Sequence, residues 1–456
     1  MRLGPDTLVH LPADVGTCPY DREAQKIGIV HFGIGAFHRA HQAGYTDCAM
    51  AAGDRDWGIC GVSLRSPDVA RQLNPQDGLY TLTERRGDAA QTRVIGAVRE
   101  VLYAPDQAGA VVTRLADPAC HIASFTVTEK GYARSPDGGL DLIAGRRSLY
   151  PLVAQGLAER RARGLGGLTL LPCDNLAENG KVLARLMEQW LAADMPDMVE
   201  WFRRECRVPS TMVDRIVPRT APQALTALER HLCMRDAGAV FTEGFSQWVI
   251  EDDFAGPRPQ WERHGVQLVN DVAPFETAKL RMLNGAHSLL AYCGLEAGYT
   301  YVHQAVADPR LAALAERLMR DEALPTIPAA PGQDLAAYAG QLMQRFGDPA
   351  LMHRLDQIAM DGSQKIPQRW LDTAAVLTRR SLPCDAIAAG FAAWVRHLAD
   401  GRCVDDPHGE ELHAIAIKGG ARGIVERCLG TGTGMTALWS GYQHLAQTLL
   451  SAEREV

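Results

Sequence analysis

KIGIVHFGIGAFH, residues 26–38, is the stretch on which the fold turns. Its first seven residues form a short apolar run that ends in glycine, the pattern of a buried strand, and residues 36–52 read as a helix. Strand, glycine turn and helix in that order form the context of a dinucleotide fingerprint. Gly33 would permit the tight turn. Gly35 would let a pyrophosphate approach the backbone where unpaired N–H groups open the helix, with Phe37 just inside it. The third glycine of the fingerprint is absent, and His38 stands there. A strand-to-helix turn that only needs small residues explains the same glycines, so the motif by itself leaves both readings open.

Working outward, residues 58–64 (GICGVSL) read as a second strand. A dinucleotide site wants an acid after it for the adenosine ribose, whereas an arginine there would meet a 2′-phosphate. Asp68 and Arg65 both follow, and Asp68 also reads as a cap of the next helix. The preference is for NAD over NADP. Residues 79–83 and 92–98 alternate like antiparallel strands around a turn at 86–88. Residues 122–128 and 168–171 are further strands, and 149–163 is a helix. Strands alternating with helices predict an α/β fold with a mostly parallel sheet. Beyond residue 271 the pattern changes: 275–292, 311–323, 335–345 and 384–399 read as helices, the third opened by an N-cap at Asp334. The expected division is residues 1–270, Rossmann-like, and 271–456, mainly α-helical.

The 456-residue chain is 46% hydrophobic and 22% charged, an ordinary globular mixture, with a formal net charge of −7. That balance offers no global attraction to nucleic acid or to anionic lipid, and an acidic substrate would need a local basic patch. The eleven cysteines are dispersed with no CxxC pair, which reads as reduced thiols in a cytoplasm. The N-terminus has no apolar signal-like segment, and no 18-residue apolar run predicts a membrane span. His38 and His41 have HxxH spacing but lack further close ligands, so no metal is expected. Monomer and homo-oligomer stay open.

FETAKLRMLNGAH, residues 275–287, is the densest chemical stretch. On an α-helix Asn284 would lie about 140° and His287 about 80° around the axis from Lys279, so all three can face one cleft. Oxidising an alcohol without a metal needs a base for the hydroxyl proton and donors for the alkoxide. Lys279 can be that base if burial and nearby positive charge lower its pKa; Asn284 can donate to the oxyanion and His287 can orient a neighbouring hydroxyl. Asn175, after the 168–171 strand, can be a second donor or a turn residue. Thr128 and Glu129, ending another strand, can line the same crevice. A solvated Lys on a capped polar face is the plainer alternative for the 279–287 stretch.

These residues resemble a known family. GIVHFGIGAFHRAHQ (28–42), TVTEKGY (126–132), CDNLAENG (173–180), TMVDRIVP (211–218), QWVIEDDF (247–254), KLRMLNGAHS (279–288) and QIAMDGSQKIPQR (357–369) are similar, in this order, to motifs of the mannitol 2-dehydrogenase and fructuronate reductase family, the polyol-specific long-chain dehydrogenases. The resemblance spans about residues 25–400. It implies NAD-dependent, metal-independent interconversion of a secondary alcohol and a ketone on a sugar alcohol or sugar acid, with a catalytic helical domain. It implies Lys279 as general acid/base, Asn175 and Asn284 as the oxyanion pocket, His287 on a substrate hydroxyl, and Asp214 and Lys365 lining the substrate site. The cofactor would lie over Gly33 and Gly35, with Asp68 on the adenosine side. Arg369 or Arg281 could meet a sugar carboxylate. Gln357 stands where one form of the family carries an arginine, and Glu243-Gly244-Phe245 replaces a usual Glu-Pro-Phe.

Overall fold

The computed structural model describes residues 1–87, 89–127, 129–135, 137–402, 405–431 and 436–450, with the side chains of 129 and 130 left aside. The chain divides into two compact units, Met1–Val272 and Ala273–Val456. The first contains β1 (Ile27–Phe32), β2 (Gly58–Ser63), β3 (Tyr80–Arg86), β4 (Ala89–Ile95), β5 (Val98–Tyr103), β6 (Ile122–Phe125), β7 (Thr169–Pro172), β8 (Thr211–Asp214), β9 (Val240–Glu243), β10 (Gln247–Glu251) and β11 (Gln267–Val269). Five of them form one sheet in the order β5-β2-β1-β6-β7, parallel throughout. This is a Rossmann-type sheet, and both faces are covered. β1 sends Val30 and Phe32 into one apolar core and Ile29 into another. Such double burial explains why its sequence is an almost unbroken apolar run.

Two three-stranded sheets flank it, β11-β10-β8 and β4-β3-β9. The β3–β4 hairpin pairs Tyr80 with Ile95 through Arg86 with Ala89, but Val98 leaves it and opens β5. β5 escapes pattern reading because Arg99 and Glu100 interrupt its apolar side, as an edge position allows. Gly244 continues β9 by donating its N–H to the Arg85 carbonyl at 2.9 Å, a bond proline could not make. The helix expected over residues 36–52 is two helices, Ala36–Ala40 and Gln42–Ala51. His41 breaks them with φ −112° and ψ −89°, while its Nε2 lies 2.9 Å from the Gln247 carbonyl.

The second unit is helical and closes around one large apolar core. Gly285–Glu296 is buried almost all round, from Ala286 through Tyr292, so it is a central helix without a polar face. Asp334 caps Leu335–Phe346 by accepting from the Ala337 N–H at 2.8 Å. Two stretches depart from the uninterrupted helices of the sequence reading, Lys279–Asn284 and Leu318–Ala323, which are π-helical; Pro367–Leu371, outside the helices read from sequence, is π-helical as well. Gly409–Leu429 is a further long helix, hidden in the sequence by Gly419-Gly420, where Gly420 (φ 54°, ψ −148°) breaks the helical path. Among the described residues no helix is long and apolar enough to cross a membrane.

Candidate functional site

The order of the parallel sheet reverses between β1 and β6. In open α/β sheets ligands bind outside the carboxyl ends of strands at such a reversal. A cavity of about 270 Å³ opens there, lined by Gly33, Ile34 and Gly35 after β1, Ser63, Leu64, Arg65, Ser66 and Val69 after β2, and Thr126, Val127 and Gly131 after β6. Gly33 has φ +95°, and a Cβ on it would sit 2.7 Å from the Thr126 carbonyl oxygen. Only glycine fits that backbone. Gly35 has ordinary φ, and its Cβ position is nearly empty. The glycine spacing therefore serves the turn at one position and leaves open approach at the other, which fits a dinucleotide pyrophosphate.

The turn is held from beneath by a polar relay. Thr126 Oγ1 donates to the Gly33 carbonyl at 2.5 Å, so it must accept from His31 Nε2 at 2.8 Å. His31 Nδ1 is then left to accept from Ser124 Oγ at 2.8 Å. Burial holds this imidazole at a pKa of about 3, neutral. His38 stacks on it with ring centroids 3.4 Å apart, and burial, then the adjacent His31 site, keep it neutral as well. A second chain fixes the neighbours. Gln42 Nε2 donates to His41 Nδ1 at 3.0 Å, and its Oε1 accepts from His38 Nδ1 at 3.2 Å. His38 and His41 are thus structural in this fold, and among the described residues no group of three or more His, Cys, Asp or Glu is arranged to hold a metal ion.

Asp68 opens the short helix after β2. It is exposed, its carboxylate faces Arg71 at 4.0 Å, and it is not part of the cavity lining, which Arg65, Ser66 and Val69 form instead. Phe37 is half-buried and stacks on His41. Thr128 and the side chain of Glu129 lie outside the described residues. Asn175 is exposed just beyond the carboxyl end of β7. Its loop is anchored by residues the pattern did not reveal. Tyr132 donates to the Asp174 carboxylate, Asn179 exchanges hydrogen bonds with the Thr211 backbone, and Thr211 Oγ1 donates to the Pro172 carbonyl at 2.5 Å. Asp214 ends β8, buried, opposite Gln247.

In the second unit Lys279 and Asn284 are the first and last residues of one π-helical stretch. Gly285 N–H reaches back to the Leu280 carbonyl, an i→i+5 bond. That bonding brings residues five apart towards one face, so the α-helical angles given by spacing do not apply. His287 follows in the buried helix, its ring 4.7 Å from Phe346 and 5.2 Å from His353 between centroids. Burial, then the neighbouring His353 site and the charges of Arg345 and Arg369, depress its pKa well below the ordinary value, and His353 is held at about 4 by burial and Arg345. Both rings are neutral donors and acceptors at pH 7.

The π-helical stretch Pro367–Leu371 packs directly on this junction. Arg369 Nη1 donates to Ser288 Oγ at 2.7 Å and to the Asn284 carbonyl at 3.4 Å, and Trp370 Nε1 donates to the Gly285 carbonyl at 3.1 Å. Burial lowers the Arg369 pKa to about 10, so the guanidinium stays charged. It has no carboxylate partner among the described residues. Lys365, one turn earlier, donates to the Met360 carbonyl at 2.6 Å, with its pKa lowered by burial and then by Arg369. Arg281 is committed elsewhere: its Nη1 donates to both the carbonyl and Oγ1 of Thr326 at 2.9 Å. Thus Lys279, Asn284, His287 and Arg369 come together in one packed region, Ser288 at the end of the KLRMLNGAHS motif and His353 outside every quoted motif join them, and Arg281 does not.

Comparison with known proteins agrees with this architecture. Residues 27–263 match the mannitol dehydrogenase Rossmann domain, and 271–423 match the mannitol dehydrogenase C-terminal domain. The D-mannonate oxidoreductase of Escherichia coli K12 is 39% identical over 407 residues, 86% of this chain and 84% of that protein. A mannitol 2-dehydrogenase of Phaeosphaeria nodorum is 37% identical over 423 residues, 88% of this chain and 74% of that protein. The Pseudomonas fluorescens mannitol 2-dehydrogenase, solved as a ternary complex with NAD and D-mannitol, superposes with a TM-score of 0.84 at 33% identity, covering 98% of this chain and 95% of that one. The chain belongs to the mannitol dehydrogenase family and is an oxidoreductase acting on secondary CH–OH groups of polyols or sugar acids.

Proposed function

We propose that the protein interconverts a C2 alcohol and ketone on an open-chain sugar acid, D-mannonate and D-fructuronate, with NAD as cofactor; D-mannitol and D-fructose are the alternative pair. The observation that carries the acid is Arg369, a half-buried guanidinium fixed by Ser288 and facing no carboxylate among the described residues. A buried charge is costly unless something answers it, and a planar guanidinium matches a carboxylate in two parallel hydrogen bonds. Lys365 adds a second cation on the same stretch of chain. The relatives named for mannonate and mannitol bracket the same choice.

In this reading residues 1–270 hold the dinucleotide and residues 271–456 carry the proton chemistry. Lys279, unprotonated, takes the hydroxyl proton at Nζ and returns it in the reverse direction. Asn175 and Asn284 donate carboxamide N–H groups to the alkoxide oxygen, and neutral His287 holds an adjacent hydroxyl. Asp214 and Lys365 orient the remaining polyol chain. NAD, over Gly33 and Gly35, supplies the hydride acceptor.

The test is reduction of NAD followed at 340 nm on hexonates and hexitols. Lys279→Ala should lower turnover about 10²–10⁴-fold, the usual loss of a general base, with NADH binding retained. Turnover near the wild-type value would overturn the role of the lysine. Arg369→Leu should raise KM for mannonate at least tenfold and leave mannitol nearly untouched. Equal losses on both would remove the argument for an acid.

A further inference from the structure

The β2 end of the dinucleotide crevice is lined by donors. Arg65 is exposed on its rim and makes no hydrogen bond or ion pair within the described residues. Ser66 Oγ accepts from the Asp68 N–H at 3.1 Å, and its own hydroxyl proton has no acceptor there, so it is left to donate into the crevice. Leu64 and Val69 complete this end with apolar surface. The described lining holds no carboxylate. Asp68, the nearby acid, is turned towards Arg71 on the exposed face of its own short helix.

A ribose with two free hydroxyls wants an acceptor at this point, which is why NAD sites place a carboxylate after the second strand. A 2′-phosphate wants the opposite: several donors and a positive charge, best supplied by a guanidinium. Arg65 and Ser66 present that opposite set. Resting on the reading that this crevice holds a dinucleotide, we infer that Arg65 and Ser66 form a 2′-phosphate site and that the protein binds NADP(H) as well as NAD(H), with Arg65 as the residue that sets the ratio.

The experiment is titration of the intact protein with NADPH and with NADH, read by the fluorescence of the bound reduced nicotinamide and independent of turnover. The expected result is an NADPH Kd no more than tenfold above that of NADH, rising steeply with salt because the contact is ionic. Arg65→Ala should weaken NADPH at least tenfold and NADH less than threefold. Since Arg65 is exposed and makes no ion pair among the described residues, the variant should keep the wild-type melting temperature. Wild-type NADPH binding more than tenfold weaker than NADH would overturn the inference, as would equal loss of both dinucleotides in the variant. Binding of neither would instead overturn the dinucleotide reading of the crevice on which the inference rests.

Discussion

The two units build their sites by different means. In the first, what shapes the turn of the crevice is backbone: the strand end, the positive φ of Gly33 and the Thr126 carbonyl packed against it, with His31, Ser124 and Thr126 underneath as props. In the second, the groups are side chains, and what places them is an irregularity of the helix: two π-helical stretches that interlock through Arg369 and Trp370 on the carbonyls of Asn284 and Gly285. A site made of backbone tolerates variation in side chains but not in backbone angles. A site made of side chains on a π turn depends on packing that holds the turn open, a feature found disproportionately at functional positions.

The sharpest way to break this contrast is at the two glycines. Gly33→Ala imposes a positive φ on a Cβ residue and drives the methyl to 2.7 Å from the Thr126 carbonyl. The backbone conformation alone costs about 1–3 kcal/mol, so the first unit should lose stability and NADH affinity should fall more than tenfold. Gly35→Ala meets only the Gly33 carbonyl, at 3.9 Å. Its melting temperature should therefore stay at the wild-type value while NADH affinity falls about as far, because the methyl stands where a ligand would approach. Calorimetry with a fluorescence titration separates the two. If both variants lose only stability, the crevice is not a dinucleotide site.

This difference also decides what the sequence discloses. A crevice governed by the order strand, glycine, helix is legible, because φ > 0 and close approach select glycine at fixed spacing, as Gly33 and Gly35 show. For Asp68 spacing is silent on direction: a helix-start acid with an arginine three residues on can turn outward, as its 4.0 Å approach to Arg71 shows. In the second unit the residue types that the proposed chemistry uses, Lys279, Asn284 and His287, can be read from the sequence, but their geometry cannot. A π turn has the same residue types as an α turn, and the angles of about 140° and 80° assumed regular α-helix. Arg281 and Arg369 illustrate the limit. Both are arginines near the 279–288 stretch, and only tertiary structure shows that Thr326 engages one while the other faces no acid among the described residues.

Each unit also buries a pair of neutral histidines, which gives a smaller common effect. His31 and His38 in the first, and His287 and His353 in the second, have pKa values depressed by burial, to about 3 for His31 and about 4 for His353. A depressed histidine takes up its proton in the unfolded chain first, so it contributes stability above about pH 6.5 that is lost as pH falls towards the folded value. Each such group adds a slope of at most about 1.4 kcal/mol per pH unit in that window. Urea unfolding at pH 7.5, 6 and 5 should show a steady fall. His353→Gln should flatten it for the second unit and leave the first unchanged. Stability constant from pH 7.5 to 5 would contradict the neutral assignment of these rings.

The smallest effect tests how the second unit positions its cation. Ser288 is buried, and its hydroxyl accepts from Arg369 at 2.7 Å. It therefore aims the guanidinium without touching the reacting carbon in the proposed scheme. Ser288→Ala removes one charge-assisted hydrogen bond and leaves Arg369 the weaker contact to the Asn284 carbonyl, at a cost of about 1–2 kcal/mol in stability. If aiming Arg369 is what Ser288 does, KM for a hexonate should rise a few-fold with kcat unchanged, and a hexitol should be turned over as before. Ser288→Thr, which keeps the hydroxyl, should restore the hexonate KM. A loss of kcat on both substrates would mean that the interlocked π turns position Lys279 and Asn284 rather than a carboxylate site. The second unit would then resemble the first in depending on its backbone.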